Sequence, residues 1–95
     1  MIVSVDELKT HLRLEHDEED TYLSSLIAQA QAMAEDFCCT AFQDGTVPEP
    51  VRLAVLLMAS HFYEIRDNYD QTSWNAVKGA FETLLWPYRE PEKIL

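Results

Sequence analysis

The chain of 95 residues has little of what marks a turn-rich or disulfide-linked protein. It contains two glycines and two cysteines, and the cysteines are the adjacent pair Cys38 and Cys39. Scarce glycine is typical of helical proteins rather than of β proteins with many tight turns. Neighbouring cysteines rarely pair with each other, and they make no zinc site without partners at other spacings. We therefore expect both to be structural or incidental, and partly buried near a helix end.

The sequence also lacks the patterns of common catalytic and cofactor sites. No G-x-S-x-G, P-loop or G-x-G-x-x-G pattern occurs. His11, Glu15 and His16 could suggest a metal site, but the histidines are five residues apart and the second lies at a predicted helix break. His61 falls inside an apolar segment, where we expect a core or interface histidine bonded to a neighbour. We predict that the protein is not an enzyme and has no catalytic residue, metal site or cofactor.

Basic residues are few, with 7 Lys and Arg against 17 Asp and Glu, and the formal net charge is −10. The first 45 residues contain ten acids and two bases, giving −8, and the remainder contains seven acids and five bases, giving −2. This balance argues against binding to a phosphate backbone, which needs clustered Lys and Arg. Two interpretations stay open: plain solubility, or a surface that lies near nucleic acid without binding it.

No apolar run is long enough to span a membrane. The most apolar stretch, Pro50–Arg66, has about 17 residues where a span needs roughly 20, and charged residues interrupt it. Its apolar residues fall on nearly every side of a helix, so we predict a central helix covered by several neighbours. The N-terminal residues show no charged-then-apolar leader, and we expect a protein made and used in a cytoplasm.

Capping residues and apolar periodicity predict the first two helices. Ser4 and Glu7 form a capping box, in which each side chain can accept a hydrogen bond from the backbone amide of the other residue. An acidic run then precedes a segment with apolar residues at spacings of three and four, so we predict a long amphipathic helix with Asp17 as its N-cap.

Prolines and polar residues divide the second half of the chain. Pro48 and Pro50 can begin the central helix. Proline lacks a backbone N–H, and in the first turn of a helix that N–H would have no partner within the helix. Residues 67–73 are polar and without period, which predicts a loop, and Pro87 ends the last helix. The predicted fold is all-α, one domain over residues 1–95, with about four helices near residues 5–14, 18–39, 49–67 and 74–86.

Aromatic and arginine side chains around the last helix are candidates for contacts with other proteins, because Trp, Tyr and Arg dominate interface energetics. Both tryptophans could instead close the core. The pair Tyr88 and Arg89, just outside the last helix, fits the interface interpretation best. The candidate interface residues are Arg66, Tyr69, Trp74, Tyr88 and Arg89.

The order of motifs in this chain resembles that of the phage head–tail connector family. The motifs are LKTHLR followed by HDEED, then YEIR at the end of the long helix, and LLWPYR at the end of the last. The resemblance covers about Val5 to Arg89 and departs in a polar and aromatic loop at residues 67–75. The matching residues are Leu8, Lys9, His11, Leu12 and Arg13; Asp17 to Asp20; Tyr63, Glu64 and Arg66; and Leu84, Leu85, Pro87, Tyr88 and Arg89.

This resemblance implies a fold of about four helices and a structural role in virion assembly. Members of the family form a homo-oligomeric ring beneath the portal of a DNA-filled head, and head-closure or tail proteins attach to the ring. The expected partners are therefore further copies of the chain, a portal protein and a head-closure or tail protein. Double-stranded DNA would pass through the channel without specific binding, and no membrane is involved. The expected location is the neck of the virion, after assembly in the cytoplasm of the bacterial host.

Two features of the sequence fit this role. An acidic channel would repel the duplex and let it slide. A central helix that is apolar on all sides could serve both its own core and a neighbouring subunit, since each contact in a cyclic ring joins two different faces.

An alternative function is an acidic helical regulator that mimics DNA and blocks a nucleic-acid-binding protein. The charge of −8 in the first 45 residues motivates it. Mimicry needs carboxylates spaced along one exposed face, whereas these acids cluster at a predicted helix start, which helix capping already explains.

Overall fold

The computed structural model describes residues 2–42, 47–66 and 70–89, and within these ranges it contains α-helices and no strand. A 3₁₀ turn over Trp86–Tyr88 follows the last helix. The predicted all-α fold is confirmed. The helices are α1 (Val5–Leu12), α2 (Asp20–Cys38), α3 (Glu49–Ile65) and α4 (Gln71–Leu85).

Helix α3 lies at the centre, because it packs against each of α1, α2 and α4. Its side chains Val51, Val55 and Met58 are fully buried, which confirms the prediction of a central buried helix. The cover is incomplete, since Leu53 keeps 44% of its surface exposed and Leu57 is half-buried. One line along α3 therefore lies outside the core formed by the described residues.

The capping box of α1 is present as predicted. The Ser4 hydroxyl accepts a hydrogen bond from the Glu7 amide at 3.0 Å, and the Glu7 carboxylate accepts one from the Ser4 amide at 3.1 Å. The helix ends at Leu12, two residues before the predicted end near residue 14. The reason is that Arg13 takes a left-handed conformation with φ 63°, and the Leu14 amide turns back to the Lys9 carbonyl at 2.9 Å.

The start of α2 corrects the predicted N-cap. Helix α2 begins at Asp20, and its N-cap position is Glu19 rather than Asp17. Asp17 instead forms an ion pair with Lys9 of α1, so its carboxylate serves the α1–α2 connection and not the helix end. An acidic side chain near a helix start can bond either the free amides of that helix or a nearby base. The sequence alone does not distinguish these two partners.

The start of α4 corrects the predicted loop. The helix begins at Gln71, three residues before the predicted start at Trp74, so part of the segment 67–73 is helical. Asp70 is the N-cap, and its carboxylate accepts hydrogen bonds from the Ser73 amide at 3.1 Å and the Ser73 hydroxyl at 2.8 Å. The first turn is exposed and polar. Because it has no apolar residue, the apolar periodicity used to predict the helix did not include it.

The two cysteines lie at the end of α2, as predicted, and each carries a reduced thiol. Cys38 is buried, and its thiol donates to the Leu85 carbonyl at an Sγ–O distance of 3.7 Å. Cys39 is half-buried and takes a left-handed conformation with φ 58°. Among the described residues, no helix is long and apolar enough to cross a membrane.

Candidate protein-interaction site

Arg66 lies where the end of α3 meets the start of α2, and it holds the two helices together. Its guanidinium donates to both carboxylate oxygens of Glu19, at 2.7 Å and 3.3 Å. The same guanidinium lies 4.6 Å from the ring centre of Tyr63 and 5.5 Å from that of Tyr22. We call these four residues the Arg66 cluster. Arg66, predicted as an interface residue, already has an ion pair and two ring contacts within its own chain.

The electrostatics of the Arg66 cluster follow from these contacts. The hydrogen bond from Arg66 lowers the pKa of the Glu19 carboxyl below its ordinary value. Partial desolvation raises the pKa of the Tyr63 hydroxyl, and the nearby charge of Glu19 raises it further. The cluster thus holds an ionised carboxylate beside a neutral phenol at neutral pH.

A second ion-pair group joins α1 to the start of α2. The Lys9 ammonium pairs with Asp17 and, at 3.1 Å, with Asp20. These hydrogen bonds raise the pKa of Lys9, and the one to Asp17 lowers the pKa of that carboxyl. Three acids of the acidic run, including Glu19, are therefore paired with bases. They do not form a free row of carboxylates along one face.

Trp74 packs inward against α3. Its ring stacks on His61 with 5.9 Å between ring centres and on Phe62 with 6.4 Å. His61 is 5% exposed, and its Nε2 has no hydrogen-bond partner among the described residues. The core placement expected for His61 is correct, but the expected bond to a neighbour is missing at Nε2. For Trp74, the geometry fits the interpretation as a residue that closes the core.

Arg89 lies where α2 ends beside the 3₁₀ turn. Its Nε donates to the Phe37 carbonyl at 2.9 Å, and its guanidinium lies 4.8 Å from the Phe37 ring centre and 5.1 Å from that of Trp86. Phe37 and Trp86 face each other at 6.4 Å. We call Phe37, Trp86 and Arg89 the Arg89 cluster. Its arginine caps a carbonyl near the C-terminal end of α2, where the helix dipole favours a cation.

An open groove borders the Arg89 cluster. It has a volume of about 480 Å³, and Gly79 leaves it unobstructed, since a Cβ there would meet no atom within 4 Å. Trp86 is 64% exposed at this groove, so the interpretation that both tryptophans close the core is wrong for Trp86. The lining residues are Phe37, Gly79, Glu82, Thr83, Trp86 and Pro87.

The predicted interface residues do not form one surface. Arg66 and Arg89 belong to separate clusters, and Trp74 and Tyr88 are half-buried against the core. Tyr69 lies outside the described residues. Whether any of the five contacts another protein stays a prediction.

Two exposed apolar side chains were missing from that list of candidates. Trp86 flanks the last helix, and the sequence around it carries no signal that its side chain is exposed. Leu53 lies in the stretch Pro50–Arg66, which the sequence predicted to be covered by several neighbours, and an all-round apolar helix does not show which line of residues is left uncovered. No group of three or more His, Cys, Asp or Glu side chains within the described ranges could hold a metal ion.

The comparison with protein families returns one description. A family model described as Phage gp6-like head-tail connector protein matches residues 2–88. The match includes all four helices and the 3₁₀ turn. No curated protein and no solved structure matches the chain.

Proposed function

Because this chain belongs to the phage gp6-like head-tail connector family, we propose that it forms a homo-oligomeric ring beneath the portal. In this role it is a structural protein of the virion neck, through which DNA passes and to which head-closure or tail proteins attach. The observation that carries the proposal is the extent of the family match, which spans residues 2–88 and every described helix.

The charge supports passage of DNA without retention. A net charge of −10 on 95 residues repels the phosphate backbone, and repetition around a ring would multiply that charge. Binding of duplex DNA instead draws on clustered Lys and Arg. Several of the described bases are engaged with acids of their own chain: Lys9, Arg52, Arg66 and Lys78 each form ion pairs.

The exposed line of α3 supports a contact between copies. Leu53 is one of three large apolar side chains among the described residues that keep more than a third of their surface exposed, with Tyr22 and Trp86. Beside it lies a depression lined in part by Arg52 and Leu56. An apolar side chain next to a charged rim is the composition of an interface centre with its polar border. We therefore place one face of the proposed ring contact at Leu53.

Native mass spectrometry and negative-stain microscopy test the proposal. The purified chain would be measured at high concentration, alone and after co-expression with its portal protein. We expect a closed ring in at least one of these samples. A chain that is monomeric under both conditions would contradict the proposal.

A matched pair of variants tests the placement of the contact. Leu53→Asp adds a charge at the exposed line of α3, and we expect it to abolish the ring. Gln29→Asp adds the same charge at an exposed position of α2, and we expect the ring to form normally. Equal assembly of the two variants would remove Leu53 from the interface without bearing on whether a ring forms.

The arrangement of the acids argues against the alternative of a DNA mimic. Asp17 and Asp20 pair with Lys9, and Glu19 pairs with Arg66. Carboxylates neutralised in this way cannot present a regular line of negative charge in place of phosphates. Capture of a DNA-binding enzyme as the sole partner in a pull-down would favour that alternative again.

A further inference from the structure

The groove that borders the Arg89 cluster is an open apolar hole on one side of α4. Gly79, Thr83 and Trp86 line it at spacings of four and three, so they share one helix face, and Phe37 adds a wall from α2. Gly79 and Thr83 are small and exposed, and no atom lies within 4 Å of the position that a Cβ would take at Gly79. The groove can therefore receive an apolar side chain from another molecule.

Leu53 is the protruding side chain of the described fold that suits this groove. Three large apolar side chains keep more than a third of their surface exposed: Tyr22, Leu53 and Trp86. Trp86 lines the groove itself. The ring of Tyr22 is already in contact with Arg66, at 5.5 Å from the guanidinium. Leu53 projects from α3 with 44% of its surface exposed, so the Leu53 side chain of a second copy is the candidate occupant.

The rim of Leu53 is negative overall. Its neighbour Arg52 pairs with Glu7 of α1 and with Glu49 of α3, so two carboxylates share one guanidinium. Asp6 lines the same depression, and no base among the described residues pairs with it. Copies of a chain with net charge −10 repel each other, and a contact between them therefore needs a base opposite this rim.

The groove carries such a base in Arg89. Its guanidinium lies 4.8 Å from the ring centre of Phe37 and 5.1 Å from that of Trp86, and its Nε donates to the Phe37 carbonyl. No described acid pairs with it, whereas Glu82, the acid in the groove lining, is paired with Lys78. Arg89 is thus a fixed cation at the edge of an apolar groove, which matches an apolar side chain with an excess of carboxylates around it.

We propose that the Leu53 side chain of one copy inserts into the groove of the next copy, with the negative rim of the first facing Arg89 of the second. The inference rests on the proposed ring and names the second face of its contact. The depression beside Leu53 is formed by α1 and α3 and the groove by α2, α4 and the 3₁₀ turn, and they share no residue. One chain can therefore offer both surfaces at once, as a heterologous contact requires.

Two variants that are each blocked at one face test the contact. Leu53→Asp removes the apolar side chain, and Gly79→Glu fills the groove with a longer side chain that favours the helix. Neither should assemble alone. Mixed in equal amounts, they should form a dimer of twice the 11.0 kDa chain mass and nothing larger, because each mixed pair keeps one intact contact. Native mass spectrometry measures this. Ala80→Glu, at an exposed position outside the groove lining, is the matched control and should assemble normally.

Disulfide trapping adds a readout that detects the contact even when it is weak. In a Cys39→Ser background, the double variant Leu53→Cys, Thr83→Cys should form covalent oligomers larger than dimers when it is oxidised, as seen on a non-reducing gel. The control is Leu53→Cys, Gln29→Cys in the same background, with the second cysteine at an exposed position of α2. It should form no such series.

The outcomes distinguish this contact from the proposed ring. Rings formed by either blocked variant would overturn the contact and leave the ring. So would a mixture of the two that stays monomeric while the unsubstituted chain forms rings. A mixed dimer together with open fibres of the unsubstituted chain would support the contact and contradict the ring, because a heterologous contact whose rotation does not close gives fibres. An unsubstituted chain that stays monomeric and a double cysteine variant without covalent oligomers would overturn both.

Discussion

Two residues with a left-handed backbone end helices α1 and α2, and neither is glycine. Arg13 has φ 63° and Cys39 has φ 58°. After each helix, the amide of the next residue turns back to a carbonyl of the last turn, from Thr40 to Glu35 at 3.2 Å in α2. Glycine is usual at this position because a Cβ is strained there. The scarcity of glycine in the sequence therefore leaves a small amount of strain at two helix ends.

We expect Cys39→Gly to stabilise the protein. The Cβ strain of a left-handed residue is roughly 1–2 kcal/mol, and glycine's added backbone entropy in the unfolded chain offsets about 0.5–1 kcal/mol of it. The free energy of unfolding should rise by up to about 1.5 kcal/mol, measured by urea denaturation. Cys39→Ala is the control, because it removes the thiol and keeps the Cβ. A gain of the same size in Cys39→Ala would show that strain is not the cause.

Arg66 is expected to matter for the fold as well as for the charge of Glu19. Arg66→Ala removes the ring contact with Tyr63, which contributes about 0.5–1 kcal/mol. It should also let the pKa of Glu19 return upward towards its ordinary value of 4.5, measured by NMR titration of the carboxyl signal. Lys78→Ala, which breaks an exposed pair within α4, is the comparison and should change stability by less than about 0.5 kcal/mol. An unchanged pKa of Glu19 would contradict the assignment of Arg66 as its partner.

At the scale of the helices, the sequence pattern predicted the helices that have a buried apolar face. It missed a helix start that depends on a single capping side chain. The periodicity of α2 and the apolar density of α3 require a buried face, and both helices are present. The start of α4 was missed because Asp70, Thr72 and Ser73 are polar residues that occur in loops and in first helical turns alike. Which of these a polar segment adopts depends on one cap, here the Asp70 carboxylate on Ser73.

The interaction site was harder to predict, for a related reason. Arginines and aromatics are frequent at interfaces because a guanidinium stacks on rings and bonds carboxylates. The same contacts can be made within one chain, as Arg66 and Arg89 show. Composition identifies such residues, but their partners depend on which helices meet. Trp86 and Leu53 are exposed for that reason alone, since no described element covers them.

Two substitutions on α3 separate its buried side from its exposed line. Val55 is fully buried and Leu53 is 44% exposed, two residues apart on the same helix. Val55→Asp places an unpaired charge in the core, and we expect it to remove most of a total stability of about 5–15 kcal/mol. Leu53→Asp should change the stability of the monomer by less than about 0.5 kcal/mol. Circular dichroism and urea denaturation check both, and a native Val55→Asp would contradict the central place of α3.

For the molecule as a whole, stability depends on a balance between general repulsion and a few specific pairs. The net charge of −10 opposes compaction at neutral pH. Against it, Lys9 and Arg66 hold Asp17, Asp20 and Glu19 across helix boundaries. Because the pKa of Asp17 and of Glu19 is lowered on folding, these pairs stabilise fully above the ordinary carboxyl values. Their contribution is lost as the pH falls through the lower folded values.

The response to salt should therefore change sign with pH. At pH 7, salt screens the repulsion among the acids. The screening length falls from about 10 Å at 0.1 M salt to about 3 Å at 1 M. Raising the NaCl concentration should therefore raise the urea midpoint. Near the calculated isoelectric point of 4.5 the net charge is close to zero and repulsion is small. Asp17 and Glu19 are more than half ionised there, because their pKa values lie below 3.8 and 4.5. Salt then mainly weakens their pairs, and the midpoint should fall or stay constant.

Urea denaturation at both pH values measures this salt response. Arg66→Ala is the control variant, in which the fall at pH 4.5 should be smaller. A salt response of equal sign and size at the two pH values would contradict the balance.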